Sequence, residues 1–123
     1  MTTSSDFLTE LSSRGLLHQV SHEEALRAHL GSGVRRAYAG FDPTADSLTI
    51  GNFIPIKLLM HWQRAGHQPV VVMGGGTGLI GDPSGKSAER QLMTRETVEH
   101  NVQSQRRIFE RLLDFSGSTG AQL

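Results

Sequence analysis

The sequence predicts an α/β domain of parallel strands with flanking helices, and three runs carry that prediction. Residues 36–41 (RAYAGF) mix aromatic and small side chains as a buried strand does. Residues 69–73 (PVVVM) form a continuous β-branched run, as expected of a central parallel strand covered on both faces. Between them, residues 53–65 place Ile54, Leu58 and Trp62 at four-residue spacing with Leu59 beside them, which predicts a helix and hence a right-handed strand-helix-strand unit. At 123 residues the chain is one domain or part of one. That length allows at most one Rossmann-like half, and with only two strands before a helix and a linker-like end the chain reads as a truncated, partial version of that fold.

Taken in order, residues 5–14 carry Phe7, Leu8 and Leu11 at helical spacing, with Gly15 as the stop, and predict a short docking helix. Ser21 and Glu24 have the spacing of a capping box, and Ala25, Leu26 and Leu30 supply an apolar face to a second helix ending near residues 31–33. Residues 1–34 thus form a helical lead-in, and residues 35–115 the first half of the Rossmann-like domain. Asp42-Pro43 stops the first strand, and residues 48–52 (LTIGN) lead into the core helix. Proline loses no helical hydrogen bond only within the first turn, so Pro55 makes Asn52 the expected N-cap. Ala65-Gly66 closes that helix. After the second strand, residues 74–87 (GGGTGLIGDPSGKS) are a loop, and residues 95–113 predict a helix with Val98, Val102, Ile108, Phe109, Leu112 and Leu113 toward one face. Residues 116–123 have the composition of a linker.

Composition narrows function by exclusion. Formal net charge is zero, which leaves broad electrostatic capture of nucleic acid or anionic membrane unsupported. There is no cysteine, so disulfides and thiolate metal sites are excluded. The first residues, MTTSSDF, have neither a basic nor an apolar signal region, and no run approaches the ~18 apolar residues of a membrane helix, so a cytoplasmic location is the expectation. The six histidines are scattered, with no pair in a recognised metal constellation, and no metal site is expected.

The stretch 38–52, YAGFDPTADSLTIGN, compresses a strand end, a turn and a helix start into fifteen residues. In a parallel sheet that geometry is a phosphate site, because unpaired N–H groups and the positive end of the helix dipole point into the crevice. Residues 76–81 (GTGLIG) satisfy G-x-G-x-x-G, yet Asp82-Pro83 interrupts where a helix should open, and no acidic residue ends a further strand. A dinucleotide fingerprint is therefore rejected. Gly85-Lys86-Ser87 resembles the end of a Walker A loop, but Ile80 stands where its first glycine belongs. Lys86 is better read as a cation on a mobile loop that meets leaving phosphates.

YAGFDPTADSLTIGN followed by GGGTGLIGDPSGKSAER resembles the amino-terminal half of the bacterial tyrosyl-tRNA synthetases, class I enzymes with a Rossmann catalytic domain, and the resemblance extends over about residues 7–115. It implies ATP with Mg²⁺ as a substrate, L-tyrosine and tRNA(Tyr) as the other partners, and a homodimer. Tyr38 matches the tyrosine that recognises the substrate phenol, Asp82 the partner of the substrate ammonium, and Thr77 a residue lining the tyrosine pocket. Gly40, Asp42 and Gly51 match positions that line ATP and the adenylate, and Thr44 a pyrophosphate-side contact. Lys86 and Arg90 match cations that gather the leaving pyrophosphate. The class signature His-Ile-Gly-His is here Thr49-Ile50-Gly51-Asn52: Asn52 keeps a donor for the ribose, whereas Thr49 loses the imidazole at the phosphate. Ala39 replaces a cysteine found in some members. The family's second half is missing after Phe115, so this chain alone is expected to be incomplete for activity. The alternative is a short, non-catalytic nucleotide-binding module derived from such an enzyme.

Overall fold

The computed structural model describes residues 6–74 and 94–123. Helices α1 (Phe7–Ser13) and α2 (Glu23–Gly31) precede strand β1 (Arg36–Phe41), and a 3-10 turn (Ile50–Asn52) runs into α3 (Phe53–Arg64). Strand β2 (Gln68–Met73) follows, and α4 (Arg95–Leu112) comes last. β1 and β2 pair in parallel with Arg36 opposite Gln68 and Phe41 opposite Met73, so the α/β prediction and its β1-α3-β2 unit stand.

Strand alternation divides the pair into two faces. Ala39, Phe41 and Val71 turn toward α3 and α4, where Ile56, Leu59, Phe109 and Leu113 complete one core. Phe109 is fully buried and meets Phe41 edge-on, ring centroids 4.9 Å apart. The opposite face, with Tyr38 and Val72, is open among the described residues. Among the described residues the expectation of a strand covered on both faces is thus met on one, where α3 and α4 both pack.

α3 lies between that core and α1. Its buried residues are Ile56, Leu59, His61 and Trp62, whereas Ile54 is exposed. The buried arc is displaced from the expected 54-58-62 line because Trp62 meets Phe7 of α1, centroids 5.0 Å apart, while Ile56 and Leu59 face the sheet. Trp62 Nε1 also donates to Gln68 O at 2.9 Å, fastening α3 to the start of β2.

Three local expectations need correction. Ser21 does not cap α2: His22 occupies the N-cap position with φ 58° and ψ 55°, leaving Ser21 a residue too early, and no side chain caps the helix. Asn52 does stand at the N-cap position of α3, but its side chain makes no cap hydrogen bond to that helix. It lies in helical conformation inside the 3-10 turn, and the residue with extended geometry is Thr49. Finally, residues 116–123 are no linker. Val71 N–H donates to Gln122 O at 2.7 Å and Gln122 N–H to Pro69 O at 3.1 Å, which places Gln122 in parallel register on the second edge of β2. Ala121 is buried in the core, and Gln63 of α3 holds the preceding turn through Asp114 N–H, Asp114 O and Thr119 O.

Candidate functional site

Parallel strands end at one edge, and here Gly40 pairs with Val72, Phe41 with Met73, and Gly74 N–H donates to Phe41 O at 2.8 Å. Tyr38 and Gly40 share the open face with Val70 and Val72. Tyr38 is 73 % exposed, so its ring is available to a ligand rather than committed to packing. A Cβ on Gly40 would meet nothing within 4 Å among the described residues. No described residue fills the space above this strand end, which leaves room there for a ligand lying against the backbone. Ala39, one residue between them, turns the other way and packs against the core.

The chain then enters the loop after β1. Pro43 is fully buried and anchors it, while Asp42 and Thr44 are exposed. Two side chains of α4 hold the loop from below. Asn101 Nδ2 donates to Pro43 O at 2.9 Å, and Gln105 Nε2 to Ala45 O at 2.9 Å and Asp42 O at 3.3 Å. Neither residue is singled out by the sequence reading. The signal is there in the spacing: Val98, Asn101, Gln105 and Phe109 form the buried line of α4, so two polar residues interrupt an apolar stripe.

Thr49 and Asn52 close the far end of the loop on each other. Asn52 N–H donates to Thr49 Oγ1 at 3.3 Å, Thr49 N–H donates to Asn52 Oδ1 at 2.8 Å, and Thr49 Oγ1 donates to the same oxygen at 3.0 Å. This is a capping box in which asparagine takes the part usually played by glutamate or glutamine. Gly51 sits between them, and a Cβ there would lie 3.6 Å from Thr49 Oγ1, an ordinary contact. Beside the box, Leu48, Ile50, Phe53, Ile56, Ile108 and Leu112 join Thr49 around a cavity of about 320 Å³. Its lining carries no charge, so it does not suit a phosphate.

Of the site residues expected from the sequence, Tyr38, Gly40, Asp42, Thr44, Thr49, Gly51 and Asn52 occupy one continuous path from the open strand face to the start of α3. Thr77, Asp82, Lys86 and Arg90 lie outside the described residues. Among the described residues no group of three or more His, Asp or Glu side chains could hold a metal ion, and no helix is long and apolar enough to cross a membrane. The two buried histidines lie on the α1 side of α3. His67 Nδ1 accepts from Arg35 N–H at 3.0 Å, and burial, then the charges of Arg35 and His29, lower its pKa. Burial, then Arg14, Lys57 and Arg64, lower that of His61, whose Nε2 has no partner among the described residues.

Comparison with known proteins extends this picture. The family described as tRNA synthetases class I (W and Y) matches residues 32–120. A tyrosine–tRNA ligase of Clostridium botulinum (strain Eklund 17B / Type B) is 49 % identical over 109 residues, covering 89 % of this chain and 27 % of that protein. One from Desulfosudis oleivorans is 50 % identical over 107 residues, covering 87 % and 25 %. The chain therefore spans about a quarter of the length of these curated relatives. Among solved structures, a C-terminally truncated mitochondrial tyrosyl-tRNA synthetase of Coccidioides posadasii superposes with a TM-score of 0.72 at 30 % identity, over 97 % of this chain and 34 % of that one. The truncated Rossmann-like class of the fold follows from that superposition.

Proposed function

This chain belongs to the family of tRNA synthetases class I (W and Y), and from that premise we propose that it is the amino-terminal part of a tyrosine–tRNA ligase. The complete enzyme activates L-tyrosine with ATP and passes the tyrosyl group to tRNA(Tyr). In the first step a tyrosine carboxylate oxygen attacks the α-phosphorus of ATP, the bond to the β-phosphate oxygen breaks, and pyrophosphate leaves. A tRNA hydroxyl then takes the tyrosyl group and AMP departs. No covalent enzyme intermediate is needed, so the residues act by positioning and charge stabilisation.

The observation that carries this reading is the exposed Tyr38 beside Gly40, over which no described residue lies, at the end of a parallel strand that turns into a capped helix start. A phenol there hydrogen-bonds a substrate hydroxyl, and a site built to do so rejects phenylalanine far more strongly than size alone permits. Gly40, Asp42 and Gly51 line ATP, Thr44 faces the pyrophosphate side, and Thr49 and Asn52 organise the helix start against phosphate and ribose. Thr77 lines the tyrosine pocket, Asp82 pairs with the tyrosine ammonium, and Lys86 and Arg90 neutralise the departing pyrophosphate. Mg²⁺ enters with ATP as part of the substrate. A homodimer in the cytoplasm completes the proposal.

The test is tyrosine-dependent exchange of labelled pyrophosphate into ATP by the complete protein, with phenylalanine as competitor. Exchange with tyrosine, strong discrimination against phenylalanine, and loss of that discrimination in Tyr38→Phe are expected. Exchange driven equally well by another amino acid would overturn the tyrosine assignment.

A further inference from the structure

We propose that Asn101 and Gln105 of α4 are positioning residues that set the facing of the peptide planes in residues 43–46, aiming the N–H groups of Thr44 and Asp46 at an anion. The inference rests on the ligase reading for the identity of that anion, pyrophosphate leaving ATP, and on geometry for the rest. In a trans peptide the carbonyl and the following N–H point in opposite directions, and no cis bond occurs among the described residues. Asn101 draws Pro43 O toward α4, so Thr44 N–H is turned away from the helix; Gln105 draws Ala45 O the same way, so Asp46 N–H is turned away as well. Neither amide has a hydrogen-bond partner among the described residues, and both residues are exposed.

The same bonds remove an obstacle. A carbonyl oxygen facing a phosphate repels it, and three carbonyls of this loop, those of Asp42, Pro43 and Ala45, are tied down on the α4 side. Packing alone does not account for the two side chains. Gln105 is 1 % exposed and Asn101 4 %, on a helix line whose other members are Val98 and Phe109. Leucine would fill either position without burying an amide. Gln105 even leaves its Oε1 without a partner among the described residues, so the donor side of the amide is what the position retains.

The experiment is a titration of the complete, perdeuterated protein with inorganic pyrophosphate, following the backbone amide resonances of residues 42–52 in the native form and in Gln105→Met and Asn101→Ala. In the native protein the Thr44 and Asp46 amides shift with saturation. Gln105→Met should abolish the Asp46 shift and keep that of Thr44, Asn101→Ala should do the reverse, and each should weaken pyrophosphate binding about tenfold. A merely structural role would weaken all the loop's shifts together. If one variant fails to fold, the other still gives its own half of the pattern. Native Thr44 and Asp46 amides that stay still at saturating pyrophosphate, or variants in which both move as in the native protein or vanish together, would overturn the proposal. Failure of the ligase reading would show separately, as absence of tyrosine-dependent exchange with the pyrophosphate pattern intact.

Discussion

Replacing Thr49 by histidine, which would recreate the first residue of the class signature, should slow adenylate formation. The reason is the capping box. Thr49→His deletes the acceptor of Asn52 N–H and the hydroxyl bond to Asn52 Oδ1, while the Thr49 N–H bond at 2.8 Å can survive. Loss of a Ser or Thr N-cap typically costs about 0.5 to 2 kcal/mol. Here the lost amide bond is long, at 3.3 Å, and Thr49 is exposed, so water replaces part of it and about 1 kcal/mol is the appropriate figure. If that loosening is expressed fully at the helix start proposed to meet phosphate, the rate falls about fivefold. Asn52→His should lose a similar factor by removing Oδ1. Because the two residues hold each other, the double variant should be faster than the product of the single effects predicts, with a coupling of about 0.5 to 1 kcal/mol. Single-turnover adenylate formation by the complete ligase in all four forms measures this. A Thr49→His enzyme faster than the native one, or four rates that combine additively within about 0.3 kcal/mol, would refute the reasoning.

Asp82→Ala in the complete ligase should weaken tyrosine-dependent pyrophosphate exchange roughly ten- to a hundredfold, the worth of one charged hydrogen bond, and an unchanged rate would remove Asp82 from the site. Residues 1–123 alone should not charge tRNA, since they span about a quarter of the related ligases; a side-by-side aminoacylation assay with the complete protein checks it. Phe109→Ala should cost about 3 to 5 kcal/mol in urea unfolding, because the ring is fully buried against Phe41 and α4 cannot close the void. The lowered pKa of His67 means the unfolded chain protonates first as pH falls below about 6.5, so this residue's contribution to stability is lost toward acid. His67→Asn, which keeps an acceptor for Arg35 N–H, should flatten the fall in melting temperature between about pH 7 and pH 5.

Legibility in the sequence tracked how local the determining physics is. β1, α3 and β2 are set by period and by β-branched content, and the observed bounds of β1 are those expected. Ser21 misleads because capping depends on one residue's φ and ψ, and the left-handed His22 shifts the helix start past it. Asn52 stands before α3 where Pro55 implies, but Pro55 is silent on a preceding 3-10 turn, and the capping hydrogen bonds form there, at Thr49. Residues 116–123 have a linker's composition, yet their conformation is dictated by the free edge of β2. The path from Tyr38 to Asn52 was readable because it is continuous in the chain. Asn101 and Gln105 were not, since what they bind are main-chain carbonyls 58 to 63 residues away that leave no mark on sequence composition.

The pairing of Gln122 with β2 also bears on the order in which this chain assembles. β1 meets β2 across a separation of 32 residues with α3 already spanning the gap, whereas Val70 and Gln122 are 52 residues apart. Closure of the longer loop costs only about 0.4 kcal/mol more by the logarithmic rule, so chain entropy is not what delays it. The delay comes from dependence: the edge that receives Gln122 exists only once β2 has been fixed, and Gln63 of α3 must be in place to grip Asp114 and Thr119. Folding should therefore proceed from the β1-α3-β2 unit outward, with the segment around Gln122 zipping on late. Until it does, β2 presents the N–H of Val71 and the carbonyl of Pro69 to any passing strand, which makes the chain most prone to association before Gln122 docks.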